Sequence, residues 1–161
     1  MKKKLFRVFV AFSVGLSALI ATAAPAGAVG GLVFHSLYDW RCLDVYAGGA
    51  GPWVQMWNCT GQANQVFFAV AYPDGTREVR TSDYWCVDGR WGRGASLERS
   101  PCTGHVVQRW RFEPLSASGF AIRSVEYPDL VWDVYANGTG TKVQLWDQNL
   151  QRNQAWFTNA A

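Results

Sequence analysis

Asp44, Asp88 and Asp133 stand 44 and 45 residues apart, and Gln65, Gln108 and Gln154 track them at separations of 43 and 46. The first and third aspartates keep the same company. Asp44 is followed eleven residues on by Gln55, then by Trp57, Asn64 and Gln65; Asp133 is followed eleven residues on by Gln144, then by Trp146, Asn153 and Gln154. A carboxylate accepts hydrogen bonds, carboxamides donate and accept them, and an indole offers a flat apolar face. Together these groups suit reversible contact with a ligand rather than bond making.

Nothing else in the chain supplies catalysis. The two histidines, His35 and His105, lack a His, Cys or Glu partner at metal-ligand spacing, so no catalytic residue, metal site or cofactor is expected. The repeat makes the aspartates equivalent by symmetry and puts them on different lobes, where they do not form an acid/base pair. Gly48-Gly49-Ala50-Gly51 is a turn without a phosphate-loop motif. Arg90, Arg93, Arg99, Arg109 and Arg111 alternate with Asp88, Glu98 and Glu113 and read as solvated surface.

The spacing of these groups implies three copies of one supersecondary unit. Short runs rich in Val, Trp, Phe and Tyr are split by Gly-containing turns, which is strand and hairpin chemistry. Strands are expected over 66–70, 78–80, 108–112, 120–123 and 143–146, with no helix. Three equivalent all-β units bury their apolar faces most simply by closing into one barrel-like assembly with pseudo-threefold symmetry.

Residues 1–28 read as a removable secretory signal peptide. Lys2, Lys3, Lys4 and Arg7 lead into an apolar run from Val8 to Ile20, and Ala26-Gly27-Ala28 fits a cleavage site. The run is too short to span a bilayer. Removing those four cations from fifteen basic residues leaves eleven against twelve acidic ones, so the basic character of the whole chain gives no reason to expect a nucleic-acid partner or membrane insertion. The expected location is secreted and extracellular, where four cysteines are readable as two local disulfides, Cys42 with Cys59 and Cys86 with Cys102.

Three Q-x-W-like elements, Gln65-Val66-Phe67, Gln108-Arg109-Trp110 and Gln154-Ala155-Trp156, each lie downstream of an element like Cys42-Leu43-Asp44-Val45. With these, the mature chain resembles the ricin B-chain-type β-trefoil lectins, also known as family 13 carbohydrate-binding modules. The resemblance implies an all-β β-trefoil over 29–161, three pseudo-symmetric repeats of about four strands each (approximately 29–70, 71–114 and 115–161), and up to one shallow sugar site per repeat. It gives Phe67, Trp110 and Trp156 to the core.

A pyranose presents hydroxyls on its edge and C–H groups on its face, so the resemblance casts Asp44 and Asp133 as hydroxyl acceptors and Trp57 and Trp146 as stacking platforms. Asn64 and Asn153, with Gln55, Gln65, Gln144 and Gln154, hydrogen-bond the sugar or brace the carboxylate. The second repeat keeps Asp88 and Gln108 but carries Glu98 for Gln, Ser100 for the aromatic and Val107 for Asn; its site is expected to be dead. Purely structural residues would be needed in all three repeats, so joint retention in two and loss in one points to function. The third repeat has Val131 and Gln148 where the first has Cys42 and Cys59, so its site lacks a covalent staple.

The expected function is a secreted, non-catalytic lectin module for galactose- or xylose-type sugars. The rivals are a protein-interaction adaptor or inhibitor trefoil and the non-covalent targeting subunit of a secreted hydrolase or toxin.

Overall fold

The computed structural model describes residues 30–46, 51–115, 119–135 and 140–161. The expected signal peptide lies outside them. Twelve strands follow in order: β1 (Leu32–Ser36), β2 (Cys42–Val45), β3 (Val54–Trp57), β4 (Phe67–Ala71), β5 (Arg77–Thr81), β6 (Cys86–Asp88), β7 (Glu98–Ser100), β8 (Trp110–Pro114), β9 (Phe120–Ser124), β10 (Leu130–Val134), β11 (Val143–Asp147) and β12 (Trp156–Ala160). Single 3-10 turns at Ala63–Gln65, Val106–Gln108 and Arg152–Gln154 precede β4, β8 and β12.

The antiparallel pairings close a ring. β1 pairs with β4, β4 with β5, β5 with β8, β8 with β9, β9 with β12, and β12 again with β1. The remaining strands form three cap hairpins, β2–β3, β6–β7 and β10–β11. Each cap joins the barrel through one pairing, His35 with Cys42, Arg80 with Cys86 and Arg123 with Val131. This is a β-trefoil, and the closed ring leaves no open sheet edge in the barrel.

The core fills the barrel and the space under the caps. Phe67, Trp110 and Trp156 open β4, β8 and β12, and all three are fully buried. Trp132 from β10 lies edge-on to Trp110 and Trp156, with centroids 5.1 and 5.9 Å away. Burying an aromatic of this size contributes roughly 1.5–3 kcal/mol. Turn chemistry sets the strand ends. Gly119 (φ +77°) closes the β8–β9 hairpin, donating no side chain where a Cβ would collide with the Trp156 carbonyl oxygen.

Two expected strands start late: β4 begins at Phe67 rather than 66, and β8 at Trp110 rather than 108 because Gln108 ends a 3-10 turn. The glutamine's side chain explains the turn: Gln108 Oε1 accepts from the Thr103 amide at 2.9 Å, and Nε2 donates to the Pro101 carbonyl at 3.0 Å. Gln65 clips Thr60 and Asn58 in the same way, and Gln154 clips Asn149 and Asp147.

Disulfides link Cys42 to Cys59 and Cys86 to Cys102. In the third unit a polar tie occupies the same place. Arg123 donates to Gln148 Oε1 at 2.6 Å and to the Pro128 carbonyl at 2.7 Å, and it is ion-paired with Glu113.

Candidate functional site

Each cap hairpin sets an aspartate opposite a long polar residue: Asp44 faces Gln55, Asp88 faces Glu98 and Asp133 faces Gln144. The 3-10 turn before the following barrel strand brings the next amides beneath the same carboxylate. In the first unit Asp44 Oδ1 accepts from Gln55 at 3.1 Å, while Oδ2 accepts from Asn64 at 2.8 Å and Gln65 at 3.0 Å. Asn64 is held in turn by the Val45 carbonyl at 3.2 Å. The three donors are neutral, so they orient the carboxylate without cancelling its charge. A carboxylate has about four acceptor positions, and three are taken.

Asp44 sits at the foot of an open cleft of about 220 Å³, with Tyr46, Gln55, Trp57 and Asn64 among its walls. Trp57 is 50% exposed although it ends a core strand. Next to Asn64 and Tyr46 lies a second hollow, reaching Ser82, Asp83 and Arg99 of the second unit. Gln65 is only 1% exposed; it braces the carboxylate and closes the turn, and does not face the cleft.

The third unit repeats the cradle. Asp133 Oδ1 accepts from Gln144 at 3.0 Å, and Oδ2 accepts from Asn153 at 2.8 Å and Gln154 at 2.9 Å. Gln144, Asn153 and Gln154 are all buried, so here every amide is a brace. Burial pushes the Asp133 carboxyl up, and hydrogen bonds from the amides recover only part of that, leaving it above the ordinary carboxylate value. The platform also differs from its counterpart. The Arg93 guanidinium, from the second unit, lies over the Trp146 ring with its carbon 4.7 Å from the centroid, and it is ion-paired with Asp147. Trp146 is 38% exposed.

The second unit is filled from within. Arg90 donates to Asp88 from its backbone amide (2.9 Å), Nε (3.0 Å) and Nη2 (2.6 Å). Ser100, in the place of the platform, donates to the same carboxylate at 2.8 Å, and Gln108 adds a bond at 2.9 Å. Five donors exceed the four positions available. Burial pushes the Asp88 carboxyl up, but the bonds from Arg90, Gln108 and Ser100 outweigh it and hold the group below the ordinary value.

Arg90 is a site residue that the repeat pattern does not single out. Its signal was the position two residues after the aspartate, Tyr46 in the first unit and Tyr135 in the third but Arg90 in the second. The basic stretch lies at the surface, as expected, with four of its five arginines paired to acids. Arg90, Arg93, Arg99 and Arg109 each pair with a particular acid, Asp88, Asp147, Asp83 and Asp74.

The model of the ricin-type beta-trefoil lectin domain matches residues 32–158. No curated protein matches the sequence. Among solved structures, a designed threefold-symmetric protein, ThreeFoil, superposes with a TM-score of 0.74 at 20% identity, over 81% of this chain and 98% of that one. The C-half of an earthworm R-type lectin, solved with GalNAc, gives 0.64 at 18% identity, over 83% of this chain and all of that one. The exo-β-1,3-galactanase 1,3Gal43A from Clostridium thermocellum gives 0.73 at 19% identity over 82% of this chain, which spans 30% of that enzyme. These likenesses carry the fold alone.

Proposed function

The chain belongs to the ricin-type β-trefoil lectin family, and from that premise we propose that it is a secreted, non-catalytic module that binds galactose- or xylose-type sugars through its first and third units. The observation that carries the reading is the Asp44 cleft: a carboxylate oriented by neutral amides, with an acceptor position to spare, beside a half-exposed indole. Adjacent sugar hydroxyls donate to Asp44, the apolar face of the ring stacks on Trp57, and Asn64 adds an amide contact. Asp133 and Trp146 offer the same acceptor and platform once Arg93 moves off the ring, with the buried Asn153 bracing the carboxylate.

Each site is shallow and competes with water for every hydrogen bond, so a single site binds at about millimolar to tens of micromolar. Two rigidly held sites on one polysaccharide raise retention by roughly 10²-fold. A second reading, the targeting subunit of a separate hydrolase, is favoured by the galactanase likeness, in which this fold makes up 30% of an enzyme chain.

A glycan array tests the proposal, using the mature protein beside the Asp44→Ala/Asp133→Ala double variant. Signal on galactose- or xylose-terminated glycans that vanishes in the double variant supports the lectin reading. A blank array, or signal that survives both substitutions, overturns it.

A further inference from the structure

Among the described residues, the cap hairpins cover only one end of the barrel. They join the strands at His35, Arg80 and Arg123, near the far ends of β1, β5 and β9. At the opposite end a bowl of about 520 Å³ takes walls from all six barrel strands, among them Leu32, Ala69, Arg77, Phe112, Phe120 and Thr158. It shares no residue with the Asp44 cleft.

Its walls combine two chemistries. Phe112 and Phe120 stack with centroids 5.0 Å apart, and both meet Phe34 edge-on at 6.0 and 6.4 Å, so an aromatic surface continuous with the core is left open at the barrel mouth. Arg77 lies over the Phe112 ring, its guanidinium carbon 4.9 Å from the centroid. Seven other arginines each face a carboxylate: Arg41, Arg80, Arg90, Arg93, Arg99, Arg109 and Arg123. Among the described residues Arg77, Arg111 and Arg152 face none, and of these three only Arg77 lines the bowl. The nearest acid in sequence on the partner strand, Glu113, is taken by Arg123. A planar guanidinium with its donors unspent suits a carboxylate in a two-bond fork.

We propose that the open barrel end is a second binding site, for a small monocarboxylate with an apolar body. The carboxylate pairs with Arg77, and the body lies against Phe112, Phe120 and Leu32. The volume is that of an ordinary small-ligand pocket. An alkanoate and an arylalkanoate share this chemistry, and the choice between them is an arm of the test.

The experiment is calorimetric titration of the mature protein with octanoate, with hydrocinnamate and with the primary amide of each. Saturable one-to-one binding of either acid is expected, at about tens to hundreds of micromolar, with the tighter of the two identifying the body. The amides should bind at least tenfold more weakly. Arg77→Met keeps the apolar stem and removes the fork; it should lose at least tenfold for the acids while keeping its melting temperature. Thr158→Phe narrows the bowl with the charge intact and should weaken both acids as well. Asp44→Ala should change nothing here. Absence of saturable binding, equal binding of acids and amides, unchanged binding in Arg77→Met, or loss in Asp44→Ala would each overturn the proposal.

Discussion

Asp44 and Asp88 occupy equivalent positions on equivalent hairpins, both nearly buried, and their surroundings make them chemically opposite. Asp44 is steadied by three neutral amides and keeps its charge and a free acceptor position. Asp88 is gripped by Arg90, which cancels the charge and saturates the oxygens. One fold position is thus a ligand acceptor in one unit and an internal ion pair in the next. What separates them is whether the donors are neutral and whether an aromatic or Ser100 stands opposite. Asp133 lies between the two, with Asp44's neutral cradle but with Arg93 over its platform.

The largest expected effect separates core from site. Trp156→Ala should cost about 3 to 5 kcal/mol of stability, because a fully buried indole leaves a cavity. Trp57→Ala should leave the melting temperature near that of the parent and weaken first-site sugar binding by about 1 to 3 kcal/mol. Thermal melts of the two variants would invert the assignment if Trp57→Ala were the one that unfolds.

The next pair acts on the comparison itself. Asp44→Ala should abolish first-site binding and halve the calorimetric stoichiometry for monosaccharide. Asp88→Ala should leave the stoichiometry alone and cost about 1 to 3 kcal/mol of stability, since Gln108 and Ser100 lose a buried acceptor. Loss of sugar binding in Asp88→Ala would break the contrast between the two lobes.

Acidification should move the shifted site carboxylates of the second and third units in opposite senses. Asp88 has a depressed pKa in the fold; its stabilisation is present above the ordinary aspartate value and is lost as pH falls through the depressed one. Asp133 has a raised pKa. Its contribution is full below the ordinary value, where it is protonated in both states, and is lost as pH rises through the raised one. Because a sugar hydroxyl needs the ionised form, third-site affinity in an Asp44→Ala background should begin to fall while pH is still above the ordinary aspartate range. Melting curves from neutral to acidic pH for Asp88→Asn and Asp133→Asn check the signs.

The smallest effect concerns the cap on the third platform. Arg93→Ala should tighten third-site binding by about 0.5 to 1 kcal/mol, the scale of an exposed cation–π contact. Unchanged affinity would mean that the guanidinium already lies clear of the sugar's face.

The repeat period and the Q-x-W positions made the trefoil legible, since both follow from symmetry that the chain carries residue by residue. The loss of Gln, Trp and Asn from the second unit also reads directly from Glu98, Ser100 and Val107. Arg90 does not, because its role depends on a loop turning it back onto Asp88 two residues away. Nor was the division among the glutamines legible. Gln65, Gln108 and Gln154 recur in all three units because each clips its own turn, a backbone role invisible in a residue type. Arg93 reaches Trp146 from another unit, and a contact 53 positions away leaves no local trace.

The most direct measurement is an indole ¹⁵N–¹H NMR titration of the mature protein with galactose and with xylose, reading all nine tryptophans in one experiment. The account predicts that the Trp57 resonance moves first, that Trp146 follows at higher concentration, and that Trp91 beside the filled second site and the buried Trp110, Trp132 and Trp156 stay in place. Movement at Trp91 with Trp57 unmoved would contradict it.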